Sequence, residues 1–158
     1  MTLRTALSVA TLLVVLMAGV CAGVQSNQSE WKLVKFVEDG ADLTSALTRN
    51  GDIIYRFKDD KMWIVTRDIK VEFKVKDVAD GEKEESTPAR FSATYTGNSS
   101  ELKKAYKNEI RGIYKIDKDR MTRCYSNDGM TFPKAFESQK GSRLYLVVLE
   151  RIPEMKMK

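Results

Sequence analysis

The stretch IKVEFKVK, residues 69–76, alternates strictly between apolar and charged side chains. In an extended chain, successive side chains point to opposite sides, so the apolar residues share one face and the charged residues share the other. A helix would scatter the same residues around its axis. The pattern therefore predicts a β-strand that turns one face to a core and the other to water.

Similar alternation recurs along most of the chain and predicts eight strands in all. The predicted strands are residues 31–38, 53–58, 62–67, 69–76, 90–96, 110–116, 120–126 and 143–151. Turn-forming Asp, Asn and Gly residues separate them. Residues 42–48 and 99–107 are predicted as short helices, the second with Ser99 or Ser100 as its N-cap.

Eight short strands in series, joined mostly by tight turns, leave room for little helix. Neighbouring strands of such a chain can pair consecutively, and closing the sheet on itself removes its exposed edges. The sequence thus predicts a mainly β fold, a single antiparallel up-and-down barrel of about eight strands with one or two short helices. A two-sheet sandwich is the alternative.

The N-terminal segment has the features of a signal peptide. Arg4 is followed by an uncharged, largely apolar run over residues 6–24. Val20 and Ala22 are small enough for a signal peptidase, which predicts cleavage after Ala22. An uncleaved membrane anchor is an alternative, because about 20 apolar residues span a bilayer. Lipid attachment at Cys21 is a second alternative, although the residues before it depart from the usual lipobox.

The organisation of the chain indicates one exported domain. We expect a signal peptide at residues 1–22, a polar segment at 23–30, a barrel domain at 31–153 and a tail at 154–158. The formal net charge is +5, and basic and acidic residues are interleaved, which is typical of a solvated surface. The predicted location is periplasmic or extracellular, and only an uncleaved or lipidated N-terminus would hold the protein at a membrane.

The residue types needed for most nucleophilic catalysis are scarce. The chain has no histidine, which excludes Ser-His and Cys-His dyads and imidazole metal sites. Cleavage would leave Cys124 as the single cysteine, which we interpret as a small core residue rather than a reactive thiol beside Arg123. The Ser-x-x-Lys spacing occurs at residues 29–32 and 100–103, but without the companion motifs of the enzymes that use it.

Acidic residues cluster at positions 59–60, 82–85 and 117–119, all in predicted turns or loops where solvation keeps each carboxyl group ionised. Asp117 and Asp119 lack the other ligands of a calcium loop. Aromatic residues interleave with basic ones as in single-strand nucleic-acid binders, but export and their predicted core positions argue against that partner. We therefore expect a protein that is not an enzyme, with no catalytic residue, no cofactor, no metal ion and no nucleic-acid partner.

Several short motifs follow one another in a fixed order along the chain. They are Trp31, Asp39-Gly40, Gly112-Ile113-Tyr114, Cys124, Phe132-Pro133-Lys134-Ala135-Phe136 and the closing residues 144–151. This order resembles an uncharacterised family of secreted, lipocalin-like domains of planctomycete bacteria. The resemblance implies a lipocalin-like barrel and supplies no activity. It also implies that Trp31 packs under Arg151 or Arg143 of the last strand, in a cation–π contact that closes the barrel.

Two roles follow from these expectations. In the first, the barrel mouth binds a small apolar or amphipathic ligand, a lipophilic molecule, with specificity set by the loops at residues 80–88 and 132–142. In the second, the interior is solid and the protein has a structural or interaction role in the cell envelope, where its outer surface meets a protein or a glycan. Large interior side chains would favour the second role, because they fill the space that a ligand needs.

Overall fold

The computed structural model describes residues 28–78 and 88–153. The predicted signal peptide, most of the loop at residues 80–88 and the tail at residues 154–158 lie outside this part of the chain.

Within the described residues, nine strands and two short helices follow one another. The strands are β1 (Ser29–Glu38), β2 (Ala41–Asp42), β3 (Ile54–Lys58), β4 (Lys61–Val65), β5 (Lys70–Val78), β6 (Ala89–Tyr95), β7 (Ile110–Asp117), β8 (Arg120–Ser126) and β9 (Leu144–Arg151). The helices are α1 (Thr44–Thr48), between β2 and β3, and α2 (Ser100–Ala105), between β6 and β7. Neither of these helices is long and apolar enough to cross a membrane.

The strands form one closed antiparallel barrel. From β3 to β9 each strand pairs with the next one along the chain, and β1 pairs with both β3 and β9. Eight strands thus close the sheet on itself. The predicted mainly β, up-and-down barrel of about eight strands with two short helices is confirmed.

The ninth strand, β2, was not predicted. It folds back onto the end of β1, so that Ala41 lies opposite Glu38. The predicted start of α1 at residue 42 is therefore wrong. Asp42 belongs to β2, and its carboxylate accepts hydrogen bonds from the backbone N–H and the hydroxyl of Thr44 at the start of the helix.

The alternating stretch at residues 69–76 forms most of β5. Val71, Phe73 and Val75 belong to the interior cluster, as their spacing predicts. The prediction is wrong at Ile69, which precedes β5 and is 56% exposed. Thr66 donates its backbone N–H to the Ile69 carbonyl, and its hydroxyl accepts the Ile69 N–H, so Ile69 is part of the turn between β4 and β5.

Large side chains fill the barrel. The buried interior cluster contains Trp31, Leu33, Ile53, Tyr55, Phe57, Met62, Phe73, Phe91, Ala93, Ile110, Tyr114, Met121, Val147 and Leu149. Tyr106, directly after α2, packs edge-on against Phe73 with 5.2 Å between ring centroids. Gly112 allows the close packing, because a Cβ atom there would lie 2.5 Å from the Phe91 ring.

We call the two ends of the barrel the Trp31 end and the Tyr106 end, after an aromatic residue that lies near each. The Trp31 end contains the start of β1, the turn between β3 and β4, and the end of β9. The Tyr106 end contains α2, the end of β1 and the start of β9.

Residues 127–143, which we call the strap, connect β8 to β9 along the outside of the barrel. The strand register places four apolar side chains in one outward-facing row across β7, β8, β9 and β1. These residues are Ile113, Cys124, Leu146 and Val37. The Cys124 thiol donates a hydrogen bond to the Glu137 carbonyl of the strap, so a second, smaller apolar layer lies between the strap and the barrel wall.

Candidate functional site

Arg123 is a charged residue inside the barrel. It lies on β8 between Met121 and Tyr125, which point to the same side, and it is only 4% exposed. Across the sheet it lies opposite Tyr114 and Val147. Arginine is almost never fully buried in proteins unless it is paired, which makes this position the first candidate for a function.

The Arg123 guanidinium is surrounded by sulfur and aromatic rings. Its Nη1 atom donates a hydrogen bond to the Met62 sulfur at 2.9 Å. Its Cζ atom lies 4.2 Å from the ring centroid of Phe91 and 5.5 Å from that of Phe57, both within the range of cation–π attraction. Among residues 28–78 and 88–153, no carboxylate forms a salt bridge with it. These contacts attract the cation without neutralising it.

Three tyrosines share the same region. Tyr55, Tyr106 and Tyr125 line a cavity of about 20 Å³ together with Arg123, which is room for about one water molecule. Burial raises the pKa of Tyr55 to about 12, and Arg123 lowers it in part. Burial also raises the pKa of Tyr106 and of Tyr125. The three hydroxyls are therefore protonated and able to donate hydrogen bonds at neutral pH.

A second cavity lies on the other side of Arg123. It measures about 10 Å³, and Phe91, Tyr114, Met121 and Asp77 are among its lining residues. The Tyr114 hydroxyl donates a hydrogen bond to the Asp77 carboxylate at 3.3 Å, and burial followed by the charge of Asp77 raises the pKa of Tyr114 to about 12. Arg123 thus lines both of these small cavities.

The interior cavities are far smaller than ordinary ligand sites, which occupy roughly 300–1,000 Å³. Two larger depressions lie at the surface. One, of about 170 Å³, opens beside the β3–β4 turn and includes Asp59 and Asp60. The other, of about 490 Å³, lies beside the β1–β2 turn and Lys140 of the strap. Neither is an enclosed apolar pocket.

The arginines that the family resemblance pairs with Trp31 lie at opposite ends of β9. The Cζ atom of Arg151 lies 4.3 Å from the Trp31 ring centroid, and its Nε atom lies 3.6 Å from the Asp119 carboxylate. Arg143 lies at the Tyr106 end, where its backbone N–H donates to the Asp39 carboxylate at 3.0 Å. Arg151 therefore covers the Trp31 end of the barrel, while Arg143 joins the strap to the β1–β2 turn.

The structure corrects the expected position of the segment at residues 132–142. It was expected at the barrel mouth, but its first part lies against the outer wall. Arg90 and Arg111 lie 5.2 and 5.5 Å from the Phe132 ring centroid, and Lys115 lies 5.1 Å from that of Phe136. These three basic residues alternate with the interior residues of β6 and β7, so the rings pack on the outside.

Cys124 lies beneath the strap and is 0% exposed. Burial raises the pKa of its thiol, and the hydrogen bond to the Glu137 carbonyl lowers it in part. A nucleophilic cysteine needs a low pKa and access to solvent. Cys124 has neither, which agrees with its interpretation as a small packing residue.

Trp63 faces away from the interior on the wall formed by β3, β4 and β5. In the register it lies between Arg56 of β3 and Glu72 of β5. Its Nε1 donates to the Glu72 carboxylate at 2.8 Å, and the Lys70 ammonium lies 5.3 Å from its ring centroid. We call Arg56, Trp63, Lys70 and Glu72 the Trp63 surface.

In the described part of the chain, neither the first Ser-x-x-Lys match nor a metal site is assembled. Lys32 of the first Ser-x-x-Lys match pairs with Asp52 at 2.9 Å, and Ser29 accepts a hydrogen bond from the Trp31 indole. In the part of the chain that the structure describes, no three His, Cys, Asp or Glu side chains are grouped so that they could hold a metal ion.

Comparisons with known proteins identify no relative of this chain. No protein-family model, no curated protein and no solved structure matches this chain. The candidate sites therefore rest on the geometry of the described residues alone.

Proposed function

We propose that this chain is an exported, non-catalytic barrel with a solid interior, and that it acts through its outer surface as an interaction protein of the cell envelope. The observation that carries the proposal is the filled interior. The two cavities beside Arg123, which the described residues line, measure about 20 and 10 Å³, far less than the roughly 300 Å³ at which ordinary ligand sites begin. The uncharged run at residues 6–24 supports export to the periplasm or the exterior.

The Trp63 surface is the part of the outer wall that best fits a protein partner. Tryptophan and arginine are the residues most enriched where binding energy concentrates in protein interfaces, and Arg56 and Trp63 lie side by side here. The indole is held in place by Glu72 and Lys70. A side chain that is already fixed loses little conformational freedom when a partner covers it.

Photo-crosslinking in the native cell tests this role. A photoreactive residue at position 63 is expected to capture one defined envelope protein, whereas the same residue at position 150, exposed on β9, is not. The Trp63→Ala variant should weaken binding of the captured protein at least about tenfold, as loss of a central aromatic contact does. Recovery of monomer alone from position 63, or capture of a glycan in place of a protein, would contradict the proposal.

An interior ligand is a second candidate, which one observation favours. The positive charge of Arg123 lacks an acidic partner among the described residues and would suit the head group of an anionic amphipathic molecule. Binding would require the interior aromatic residues to move. A dye-displacement titration with a panel of fatty acids and lysolipids decides between the two candidates. Saturable displacement that the Arg123→Met variant loses would favour the ligand, and no displacement by any member of the panel would remove it.

A further inference from the structure

We propose that the barrel interior binds one small inorganic anion, of the size of chloride, in the cavity that Arg123 lines together with Tyr55, Tyr106 and Tyr125. The proposal concerns the interior alone and does not depend on any partner of the outer surface.

The positive charge of Arg123 is the first feature that favours an anion in the interior. A guanidinium removed from water needs a compensating negative charge or strong acceptors, because burial of an isolated charge is very unfavourable. Arg123 contacts a thioether sulfur and two aromatic rings, and none of these is an anion. Burial lowers the pKa of Arg123, and the neighbouring tyrosines raise it in part. Arginine nevertheless keeps its proton in proteins. Asp77 lines the smaller cavity together with Arg123, but among residues 28–78 and 88–153 no carboxylate forms a salt bridge with the guanidinium.

The residues that line the cavity are the second feature that favours an anion. The cavity of about 20 Å³ is lined by the one cationic side chain and by three phenol groups. A guanidinium has five N–H donors in total, and only one of them is used by Met62. Phenol O–H and guanidinium N–H groups are all donors to an anion, and the remaining lining residues are apolar, such as Ile64 and Phe73. The lining residues thus include one positive charge and three hydroxyl-bearing side chains, all of which can donate hydrogen bonds to an anion.

Size selects the kind of anion. A cavity needs about 10–15 Å³ to hold one water molecule, and a monatomic halide is only slightly larger than water. A phosphate, a sulfate or the carboxylate of an organic acid has several heavy atoms and does not fit without rearrangement of the aromatic residues. The proposed anion is therefore a halide rather than the head group of an amphipathic molecule. The two experiments below distinguish between them.

Bromide diffraction tests the site directly on the unaltered protein. Crystals of the full chain grown in sodium bromide, with data collected at the bromine absorption edge, should show one anomalous peak in the interior within hydrogen-bond distance of the Arg123 guanidinium. A peak confined to the exposed lysines, an empty cavity, or a water without anomalous signal would overturn the proposal. This measurement uses the unaltered protein, so its result does not depend on whether any variant folds.

Thermal unfolding tests affinity and specificity. At constant ionic strength, replacing gluconate with chloride should raise the Tm of the full chain saturably, by roughly 5–10 °C at about one hundred times the dissociation constant. The Arg123→Met variant should lose this rise, whereas Arg120→Met, an exposed arginine on the same strand, should keep it. Tyr55→Phe removes one donor and should weaken the chloride dependence without abolishing folding.

The other possible results of the chloride experiment also test the proposal. An equal chloride effect in the unaltered protein and in Arg123→Met would be a general salt effect and would contradict the site. Absence of any chloride dependence in the unaltered protein would do the same. Stabilisation by acetate or a fatty acid that exceeds that by chloride would replace the halide with a carboxylate and overturn the proposal. If Arg123→Met does not fold, the chloride dependence of the Tm of Tyr55→Phe and the bromide peak test the proposal instead.

Discussion

Arg123 places a positive charge in an interior that otherwise consists mainly of aromatic and aliphatic side chains. Its neighbours Phe57, Phe91 and Met62 attract the guanidinium through ring faces and sulfur, and such contacts are individually modest. An apolar side chain of similar length would fill the same volume without desolvating a charge. The proposed anion would therefore explain the position of Arg123 better than a contribution of this residue to stability does.

Replacement of Arg123 by methionine tests that explanation in buffer without halide. We expect the free energy of unfolding to rise by about 1–3 kcal/mol, because buried charges replaced by well-packed apolar residues often leave a protein more stable. Urea unfolding measures the change. Arg120→Met, on the exposed face of the same strand, should change stability by less than about 0.5 kcal/mol. A clear loss of stability in Arg123→Met without halide would contradict this expectation.

Arg151 tests the closure of the Trp31 end. Arg151→Ala removes the guanidinium from above the Trp31 ring and should lower the free energy of unfolding by about 0.5–1 kcal/mol, the range for an exposed cation–π contact. Arg143→Ala is the control, because Arg143 lies at the other end of β9. Indole fluorescence should shift in Arg151→Ala and stay unchanged in Arg143→Ala. The reverse pattern would show that Arg143 covers the ring.

At the scale of elements, the strap depends on a close backbone contact with the β1–β2 turn. Gly40 has a φ of +82°, and a Cβ atom there would lie 2.7 Å from the backbone nitrogen of Lys140. Both features favour glycine, the first because other residues are strained at positive φ. The strap in turn covers the Cys124 thiol, so access to this thiol reports on whether the strap is in place.

Gly40→Ala should therefore expose Cys124. We expect a thiol reagent to modify Cys124 at least several times faster in this variant than in the unaltered protein, because strain at residue 40 raises the population of strap-open molecules. Peptide mass analysis separates Cys124 from Cys21. Ala41→Gly, at the neighbouring exposed position, should leave the rate nearly unchanged. Equal rates in Gly40→Ala and the unaltered protein would contradict the role given to this contact.

Acid should loosen the start of the strap. Hydrogen bonds from the backbone N–H groups of Met130 and Thr131, of which the Met130 bond is the larger cause, lower the pKa of Asp128 from 3.8 to about 2. A depressed pKa means that the ionised carboxylate stabilises the folded state above pH 3.8 and that this contribution is lost as the pH falls towards 2. Protection of the Met130 amide, measured as its exchange rate relative to the intrinsic rate at the same pH, should fall over that interval. Asp128→Asn should remove this pH dependence, and unchanged protection down to pH 2 would contradict the assignment.

The elements that the sequence predicts well are those set by local alternation. Eight barrel strands and both helices lie close to their predicted positions, since period-two patterning and turn residues act within a few neighbours. Ile69 differs because Thr66 holds it in a turn. β2 and the strap could not be predicted, because two residues are too few for a pattern and the strap is placed by distant contacts of Phe132, Phe136 and Cys124.

The candidate site was present in the same alternation but was not predicted. Met121, Arg123 and Tyr125 occupy one face of β8, so the rule that places Met121 inside places Arg123 inside as well. Charged residues are so seldom buried that the sequence alone draws attention to Arg123 only as a neighbour of Cys124. Trp63 shows the opposite case, an aromatic residue on the outward side of β4.

At the scale of the whole molecule, the number of strands and the closure of the sheet do not determine what fills the barrel. An eight-stranded barrel is just wide enough either to be filled by side chains or to hold one small ligand. The choice depends on the summed volume of residues contributed by all eight strands, which no single stretch of sequence reveals. Here aromatic residues from β1, β3, β5, β6 and β7 meet inside, and the two cavities beside Arg123 measure only about 20 and 10 Å³.

A high-resolution crystal structure of the protein isolated from its own cells tests the filled interior most directly, because any ligand acquired in the cell would be retained and visible. We predict that side chains account for all density inside the barrel, apart from at most one atom-sized peak beside Arg123. Elongated density of an organic molecule, or a continuous cavity of several hundred Å³ as ligand sites require, would contradict the account.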